Sequence, residues 1–446
     1  MHRPAVDRSP LGPAGPSTAL LTDRYELTML DAALRSGVAA RRAVFEVFTR
    51  AIPAGRRFGV FAGLGPLLDA VERFRFGPPE LDWLAAEGIV SADTLGWLAG
   101  HSFAGSIDAY SEGEPYSAGS PVLTVEGSFG EAVLLETLVL SVLNHDSAVA
   151  SAAALIVEAA GGRPVIEMGS RRTDPAAAVA AARAAYICGF ASTSNLEAGR
   201  RYGIPTAGTV AHAFVLAHPS EREAFRAQVA SLGPGTTLLV DTFDPAGGIA
   251  NAVAAAGDGL DAVRIDSGDL VAETWRARRL LDDLGAAATR IVVTGDLDTH
   301  ALAALADAPA DSYGVGTNLV TGLGHPTAGF VYKLVAVGDD HGDLRPVAKQ
   351  SPGKSDVGGR KWAWRIREPG WADLVATDVK PPPGPNRALQ SRVVEDGRVV
   401  RRAAVHEARE LHRAAVGEIP PGEHLVAYLR GGPDRPGRGA TVTPSP

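Results

Sequence analysis

Cysteine is nearly absent from this chain, since Cys188 is the only one among 446 residues. A single cysteine excludes an intramolecular disulfide and any zinc site built from several cysteines. A lone thiol is typical of a reducing compartment, so we expect a cytoplasmic protein. Cys188 lies in an apolar run, residues 185–190, and we interpret it as a small buried residue.

Positive charge is also in deficit, because 43 lysines and arginines face 51 aspartates and glutamates, for a net charge of −8. This balance argues against nucleic acid as a partner, since phosphate backbones bind basic surfaces. It still allows a local basic pocket for an anionic small molecule. No apolar run reaches the roughly 18 residues that a membrane helix needs, so no membrane partner is expected. The first 17 residues lack the apolar segment of a signal peptide.

The two ends of the chain are rich in proline and glycine and poor in the apolar residues that order a segment. We expect residues 1–18 to be a disordered lead-in and residues 431–446 a disordered tail. The chain is 46% hydrophobic and 21% charged, which is typical of a globular protein with an ample core, and its length favours two domains.

A regular alternation of strand-like and helix-like segments begins at residue 164. Near-continuous apolar strands indicate a parallel sheet buried on both faces, as in an irregular TIM-like α/β barrel over residues 146–335. An open doubly wound sheet is the alternative. The predicted strands are residues 165–168, 185–188, 205–210, 237–240, 262–265, 290–293 and 312–315.

The flanking segments follow a different pattern. Residues 23–35 are predicted to form a helix with Asp23 as its N-cap, residues 42–52 a strand, and residues 131–158 a long apolar helix. Short charged strands follow Lys333. We therefore predict an accessory α+β domain built from both segments, residues 19–145 and 336–430.

Polar clusters follow the predicted barrel strands at intervals of roughly 22 to 32 residues, the period of a β/α repeat. Arginines bind carboxylates and phosphates, glycines let backbone N–H groups approach a phosphate, and carboxylates hold ribose hydroxyls or a magnesium ion through water. Taken singly, a Gly-x-Gly-Thr run is usually a turn, an arginine pair is usually solvated, and a histidine is usually structural. Because strand ends in a barrel share one rim, we expect the clusters to form one site. They are residues 168–172, 209–212, 241–244, 264–269, 294–296 and 314–318.

Taken together, these motifs resemble the nicotinate phosphoribosyltransferases, which are type II phosphoribosyltransferases like the nicotinamide and quinolinate enzymes. The resemblance covers roughly residues 21–365 in the family's order. It rests on residues 22–29, 45–48, 62–64, 135–138, 169–172, 208–214, 241–244, 264–269 and 314–317 and on the basic run 349–361.

The resemblance implies a reaction and a role for each matching residue. Nicotinate would react with phosphoribosyl pyrophosphate (PRPP) with the help of ATP and Mg²⁺, in a homodimer with shared active sites. His212 would accept a phosphoryl group from ATP, Arg264 would bind the nicotinate carboxylate, and Asp266 and Asp296 would hold ribose or phosphate-bound water and metal. Tyr25, from the partner subunit, and Met168 would cover the pyridine ring. The remaining predicted contacts are Arg171, Thr209, Gly295, Gly316 and Thr317 for the substrate and Arg57, Lys354 and Lys361 for the diphosphate.

This chain departs from the family pattern at two points. Met168 stands where the family often has an aromatic residue, and His145-Asp146 stands where it often has Phe after Asn. A thioether is polarisable enough to pack on a ring, and we interpret His145 as structural.

Three other functions remain open. A nicotinamide phosphoribosyltransferase would need an acid near the ring's amide, and residues 203–207 contain none. A sugar-phosphate aldolase or isomerase that uses a Schiff-base lysine is disfavoured, because residues 164–317 contain no lysine. A non-catalytic metabolite sensor would not need His212.

Overall fold

The computed structural model describes residues 15–349, 357–366, 372–376, 381–382, 384–420, 422–429 and 440–441. The chain divides into two compact units, which we call the terminal unit (residues 1–148 and 327–446) and the barrel unit (residues 149–326). The sequence placed the corresponding boundaries at 145/146 and 335/336.

The helices are distributed over both units and are mostly short. Three 3₁₀ turns, Val38–Ala40, Ser170–Arg172 and Gly257–Gly259, accompany them. The helices are α1 (Arg24–Ser36), α2 (Leu64–Glu72), α3 (Pro78–Ala86), α4 (Ala92–Ala99), α5 (Phe129–Val133), α6 (Glu136–Ala159), α7 (Pro175–Ile187), α8 (Leu196–Tyr202), α9 (His212–Leu216), α10 (Glu221–Leu232), α11 (Pro245–Ala256), α12 (Leu270–Asp283), α13 (Thr299–Ala304), α14 (Thr317–Val320) and α15 (Val405–Gly417).

The strands separate by unit, since β6–β11 belong to the barrel unit and the others to the terminal unit. They are β1 (Arg42–Thr49), β2 (Gly59–Val60), β3 (Ser106–Tyr110), β4 (Pro115–Tyr116), β5 (Leu123–Ser128), β6 (Val165–Glu167), β7 (Ser192–Thr193), β8 (Thr237–Leu239), β9 (Ala262–Ile265), β10 (Arg290–Val293), β11 (Ser312–Val315), β12 (Phe330–Gly338), β13 (Leu344–Pro346), β14 (Trp362–Ile366), β15 (Ala372–Ala376), β16 (Asn386–Ala388), β17 (Gln390–Glu395), β18 (Arg398–Val399), β19 (Val426–Leu429) and β20 (Ala440–Thr441).

The terminal unit joins the two flanking segments of the chain in one sheet. Its seven strands run in the order β13-β12-β1-β5-β3-β17-β18, so β1 pairs with β12 and β3 pairs with β17, all antiparallel. A second sheet has the order β16-β14-β15-β19-β20. The prediction of an accessory α+β domain built from both segments is therefore confirmed.

Helix α1 begins and ends where the sequence indicates. Asp23 stands at the N-cap in an extended conformation, and Gly37, with φ of 78°, ends the helix in the left-handed region that glycine adopts readily. The long helix predicted over residues 131–158 is instead divided into α5 and α6.

The barrel unit contains six parallel strands in the order β7-β6-β11-β10-β9-β8. The first strand of this unit, β6, pairs with its last strand, β11, as in a barrel and unlike an open doubly wound sheet. Residue Thr206 adds one parallel bridge to Thr193, and the ring is open between this segment and β8. The TIM-like fold is confirmed in this incomplete form.

Two predicted strands are wrong. Residues 185–187 are the last turn of α7, because the alanine-rich sequence before them favours a helix that Asp174 caps and Pro175 opens. Residues 205–210 form no strand beyond the bridge at Thr206, and the short β7 pairs with β6 instead.

The predicted disordered ends are ordered where the structure describes them. Ser17 Oγ donates to Arg75 O, and Thr18 Oγ1 donates to Ala70 O at 2.6 Å. In the tail, β20 pairs with β19. Residues 1–14, 431–439 and 442–446 lie outside the described residues.

One helix, α6, is long and apolar enough to cross a membrane by length and composition alone. Most of its apolar window is buried in the protein, and core helices of non-membrane proteins pass the same test.

The terminal unit contains a buried ion pair between Glu46 of β1 and Lys361, which precedes β14. Lys361 Nζ lies 2.7 Å from Glu46 Oε2 and donates at 2.8 Å to Val357 O and to Gly359 O. These contacts use all three N–H groups of the ammonium. Lys361 therefore belongs to the interior of this unit, which corrects the prediction that it contacts a diphosphate.

Replacing Lys361 by methionine should destabilise the protein by about 3–5 kcal/mol, because it leaves the Glu46 carboxylate buried without its cation. The double variant Glu46→Gln/Lys361→Met should recover most of this loss. Chemical denaturation at neutral pH measures both free energies of unfolding. Arg41→Met, which removes an exposed pair with Asp340, is the control and should cost less than about 1 kcal/mol. An equally small loss for Lys361→Met would contradict the assignment.

Candidate active site

The candidate site lies at the carboxyl ends of the barrel strands. Because the strands are parallel, the residues that follow them share one rim. The rim carries Met168 after β6, Asp241 after β8, Asp266 after β9, Thr294–Asp296 after β10 and Gly316–Thr317 after β11.

Asp266 is held by three neighbours. Its carboxylate accepts hydrogen bonds from Arg264 Nη2 at 2.9 Å and from Thr294 Oγ1, and its backbone N–H donates to Asp241 Oδ2 at 2.8 Å. Burial alone would raise the pKa of Asp266. The bond from Thr294 and the bond and charge of Arg264 outweigh burial and hold the pKa below its usual range. Asp266 is therefore ionised at neutral pH.

Thr294 and Asp266 also hold the side chain of Arg264 in place. Its Nε donates to Thr294 Oγ1 at 2.9 Å, and its side chain is 13% exposed. Two of the five N–H donors of the guanidinium are used, one by Thr294 and one by Asp266. Because the guanidinium is planar and rigid, these two bonds also set the directions of its remaining donors.

Asp241 supports the turn that carries Asp266. Its Oδ2 accepts the Asp266 N–H and the Ser267 hydroxyl, the latter also at 2.8 Å. Its Oδ1 is buried and, among the described residues, has no hydrogen-bond partner. The sequence grouped Asp241 with the rim but gave it no role.

His212 is the first residue of α9, after the segment that contains the Thr206 bridge. Its Nδ1 lies 3.1 Å from Thr242 Oγ1, and its Nε2 lies 3.8 Å from Asp266 Oδ2. The side chain is 40% exposed. The imidazole is therefore oriented by Thr242 and remains open to a ligand.

The turn after β10 brings backbone close to Asp266. Gly295 has φ of 107°, and a Cβ there would lie 2.4 Å from Asp266 O, so only glycine fits. Asp296 follows with φ of 46° and is exposed. On the neighbouring turn, a Cβ on Gly316 would lie 3.1 Å from Met168 O.

Met168 lies against a second glycine. A Cβ on Gly314 would lie 2.7 Å from Met168 Sδ and 2.5 Å from Thr294 Cγ2, so the thioether occupies the space that glycine leaves. Met168 is half-buried. A polarisable, partly exposed methionine at this rim is suited to an aromatic ring.

Arg171 is exposed in the 3₁₀ turn Ser170–Arg172, and Glu167 anchors the start of that turn. The fully buried Glu167 carboxylate accepts hydrogen bonds from Gly169 N and Thr193 Oγ1. Burial raises the pKa of Glu167, and these two hydrogen bonds offset the rise only in part. No sequence pattern indicated this role, since Glu167 reads as part of an apolar strand.

The other predicted contacts have varied environments. Thr209 lies in the irregular segment before His212, where its Oγ1 donates to Val210 O at 3.1 Å. Arg57 belongs to the terminal unit, where its Nη1 donates to Glu423 O at 3.3 Å. Lys354 lies outside the described residues.

Tyr25 lies on α1 in the terminal unit and is 46% exposed. Burial raises the pKa of its hydroxyl, as do the nearby charge of Glu136 and a hydrogen bond with it. Its neighbour Glu26 is fully buried, and burial raises the pKa of that carboxyl to about 7 despite hydrogen bonds from Thr137 and Thr22.

No group of three or more histidine, cysteine, aspartate or glutamate residues suited to a metal ion occurs in the part of the chain that the structure describes.

Thr294→Val should raise the pKa of Asp266 toward its usual value, because it removes a donor to the carboxylate and the group that holds Arg264. Carbon-13 NMR titration of aspartate carboxyls would measure the pKa, with Asp266→Asn identifying the signal.

The lowered pKa of Asp266 stabilises the fold at pH values above the usual aspartate pKa, and this contribution is lost as the pH falls through the pKa of the folded protein. The free energy of unfolding of the variant should therefore be about 1.5–3 kcal/mol lower than that of the wild-type protein at neutral pH, and the difference should be much smaller in acid.

Thr289→Val is the matched control, since Thr289 precedes the same strand and bonds to Leu260 O at 3.1 Å, away from the rim. If both variants left the Asp266 signal unchanged, the proposed coupling would be wrong.

Two family models match separate regions of the chain, and the division between them lies close to the boundary between the terminal unit and the barrel unit. Residues 20–144 match the nicotinate phosphoribosyltransferase N-terminal domain, and residues 149–321 match the quinolinate phosphoribosyl transferase C-terminal domain.

Individual relatives agree with these matches. A nicotinate phosphoribosyltransferase of Mycobacterium tuberculosis is 55% identical over 434 residues, covering 93% of this chain and 94% of that protein. The Bacillus subtilis enzyme is 38% identical, covering 78% and 73%. The crystal structure of human nicotinic acid phosphoribosyltransferase superposes with a TM-score of 0.79 at 25% identity, covering 92% and 98%. The chain belongs to the nicotinate phosphoribosyltransferase family.

Proposed function

We propose that this chain is an ATP-dependent nicotinate phosphoribosyltransferase that acts in NAD salvage by the Preiss–Handler route. Nicotinate, PRPP, ATP and water would give nicotinate mononucleotide, diphosphate, ADP and phosphate. The observation that carries the proposal is the rim group of Arg264, Asp266 and His212, joined by short contacts in a chain so similar to a curated enzyme of this activity.

The chemistry requires a negative charge near the ribose. The lone pair of the pyridine nitrogen forms a bond to C1 of PRPP while the C1–O bond breaks and its electron pair leaves with the diphosphate. The transition state resembles an oxocarbenium ion, and a fixed, ionised carboxylate stabilises it. Asp266 meets this need because Thr294 and Arg264 keep it charged and Asp241 fixes its backbone.

Nicotinate itself would be recognised by charge and by ring packing. The unused donors of Arg264 suit a carboxylate, which a guanidinium binds in a bidentate manner. Met168 would cover one face of the ring and Tyr25 of a partner subunit the other. This assignment favours the acid over nicotinamide, and a measured preference for nicotinamide in steady-state assays would overturn it.

The phosphates would be bound by the neighbouring turns and by Arg171, which is exposed at the rim. Gly295, Gly316, Thr317 and Thr209 would surround the 5′-phosphate. Arg57 and Lys354 remain proposed contacts of the diphosphate.

A magnesium ion would fit if the substrate supplies most of its ligands. Mg²⁺ is usually held by one or two carboxylates together with phosphates and water. The buried Oδ1 of Asp241, which has no hydrogen-bond partner in the described part of the chain, and the exposed carboxylate of Asp296 are suitable oxygens. When bound, the ion would neutralise charge on the departing diphosphate.

ATP would act through His212. A neutral imidazole is nucleophilic near pH 7, and the 40% exposed ring gives the γ-phosphoryl group access. The phosphoryl group passes from ATP to His212, leaving ADP, and water then releases it as phosphate.

The competing functions have less support. A Schiff-base aldolase needs a lysine at the rim, and residues 164–317 contain none. A metabolite sensor has no use for an accessible histidine beside an ionised aspartate. A cytoplasmic location remains our proposal and agrees with Cys188 being buried and in no disulfide.

A homodimer with shared sites would explain two sets of exposed apolar side chains. On the terminal unit, Leu21 is 60% exposed and Tyr25 46% exposed, and on the barrel unit Leu216 and Phe243 are 61% and 62% exposed. Exposed apolar side chains of this size are common at protein interfaces. In a two-fold dimer each terminal unit would cover the partner's rim.

The function is tested by PRPP-dependent incorporation of labelled nicotinate, with and without ATP. His212→Ala should abolish ATP hydrolysis coupled to synthesis and leave the fold intact. His218→Ala is the control, because His218 lies six residues away and its Nδ1 lies 2.7 Å from Phe214 O, one turn back in the chain. Acid-labile, base-stable phosphate on the His212→Ala protein after incubation with ATP would exclude the assigned role.

The shared site is tested by mixing two inactive variants, Tyr25→Ala and His212→Ala. In a mixed dimer one site has an intact tyrosine and an intact histidine, whereas the other has neither. Random exchange at equal concentrations should restore about one quarter of the ATP-coupled activity. Sedimentation of a fully active monomer would rule the shared site out.

A further inference from the structure

The turn after β10 has an unusual backbone that needs support. Gly295 and Asp296 both have positive φ, 107° and 46°. A non-glycine residue in the left-handed region is less stable there, although aspartate tolerates it better than most. The turn is bounded by buried residues on either side, Thr294 and Leu297.

Asn318 supplies that support from the next strand. Its Nδ2 donates to Asp296 O at 3.0 Å and to Leu297 O at 3.1 Å. Asn318 is the second residue of α14, which follows β11, the parallel neighbour of β10. One side-chain amide therefore joins the ends of two adjacent strands at the rim.

The two hydrogen bonds also fix the direction of backbone N–H groups. In a planar trans peptide the N–H points opposite to the C=O. With the carbonyls of Asp296 and Leu297 turned toward Asn318, the N–H groups of Leu297 and Asp298 point away from it. Neither N–H has a hydrogen-bond partner within the described ranges. Leu297 is fully buried and Asp298 is partly exposed, so the Asp298 N–H is the one available to an acceptor.

Asparagine is well suited to this position. Its amide nitrogen carries two hydrogens, one for each carbonyl. An aspartate of the same shape would instead direct an oxygen at two carbonyl oxygens. Serine would be too short to reach both.

We propose that Asn318 is a positioning residue for PRPP binding. It holds the Gly295–Asp298 turn so that the Asp298 N–H and the Asp296 carboxylate meet the phosphoribosyl group. The inference rests on the proposed function, because it takes PRPP as the ligand of this turn. It assigns Asn318 no contact with the reacting atoms.

The experiment compares Asn318→Asp, Asn318→Ala and Asn318→Ser with the wild-type protein. Loss of two hydrogen bonds should raise KM for PRPP by about 10- to 100-fold and leave KM for nicotinate within about threefold. Asn318→Asp should be affected at least as strongly as Asn318→Ala. Asn251→Ala is the control, since Asn251 bonds to Glu221 at 3.1 Å on another helix of the same unit. An equal change in both KM values would overturn the proposal.

A double-mutant cycle with Asp296→Gly tests whether Asn318 acts through the turn. Glycine adopts positive φ without cost and lacks the carboxylate, so Asn318→Ala should have a much smaller effect on KM for PRPP in that background. Additive effects would overturn the proposal.

Calorimetric titration with PRPP separates this inference from the proposed function. If the wild-type protein binds PRPP and Asn318→Asp binds it more weakly, both stand. If the two proteins bind it equally, the role of Asn318 is wrong while the function survives. If the wild-type protein does not bind PRPP, both are wrong.

Discussion

The pairing of β6 with β11 is the contact on which the rest of the barrel unit depends. These strands are the first and the last of the parallel set in chain order, and their pairing places the carboxyl end of β6 beside those of β11, β10 and β9 at one rim. In an open sheet Met168 and Arg171 would lie at an edge, far from the turns that follow β9 and β10. The same pairing brings Met168 beside Gly314 and Gly316. The residues that we propose for ring packing, phosphate binding and charge stabilisation thereby become neighbours.

Two acids of the barrel unit, Asp266 after β9 and Glu167 at the end of β6, have opposite environments. Asp266 is surrounded by a guanidinium and a hydroxyl, which outweigh its burial and keep it charged. Glu167 is buried more completely, with a backbone N–H and a hydroxyl as its partners, and burial dominates. The first environment suits an acid that must face a developing positive charge. The second suits an acid that organises backbone.

The sequence predicted those parts of the fold that depend on local pattern. The strands β8–β11 follow from short apolar runs, and the rim residues follow from their position after those runs. Residues 185–187 were mistaken for a strand because an apolar stretch at the end of an alanine-rich helix has no distinctive period. Lys361 was mistaken for a ligand contact because a basic run does not reveal that its ammonium is buried against Glu46. The contacts of Thr242 with His212 and of Asn318 with Asp296 were missed because the partners are 30 and 22 residues apart in the sequence. The contacts of Glu167 were missed because the residue reads as part of an apolar strand.

Because the ring is open, the segment before His212 and the strand before Asp266 are held by different numbers of backbone hydrogen bonds. Asp266 follows β9, which is hydrogen-bonded on both sides by β8 and β10, so displacing it means disrupting two ladders. His212 follows a segment that is joined to β7 at Thr206 by two backbone hydrogen bonds, between Thr193 N and Pro205 O and between Ala207 N and Thr193 O. Local opening costs less free energy where fewer backbone bonds break. The rim thus combines a stationary acid with a histidine whose supporting segment can shift while the sheet stays intact.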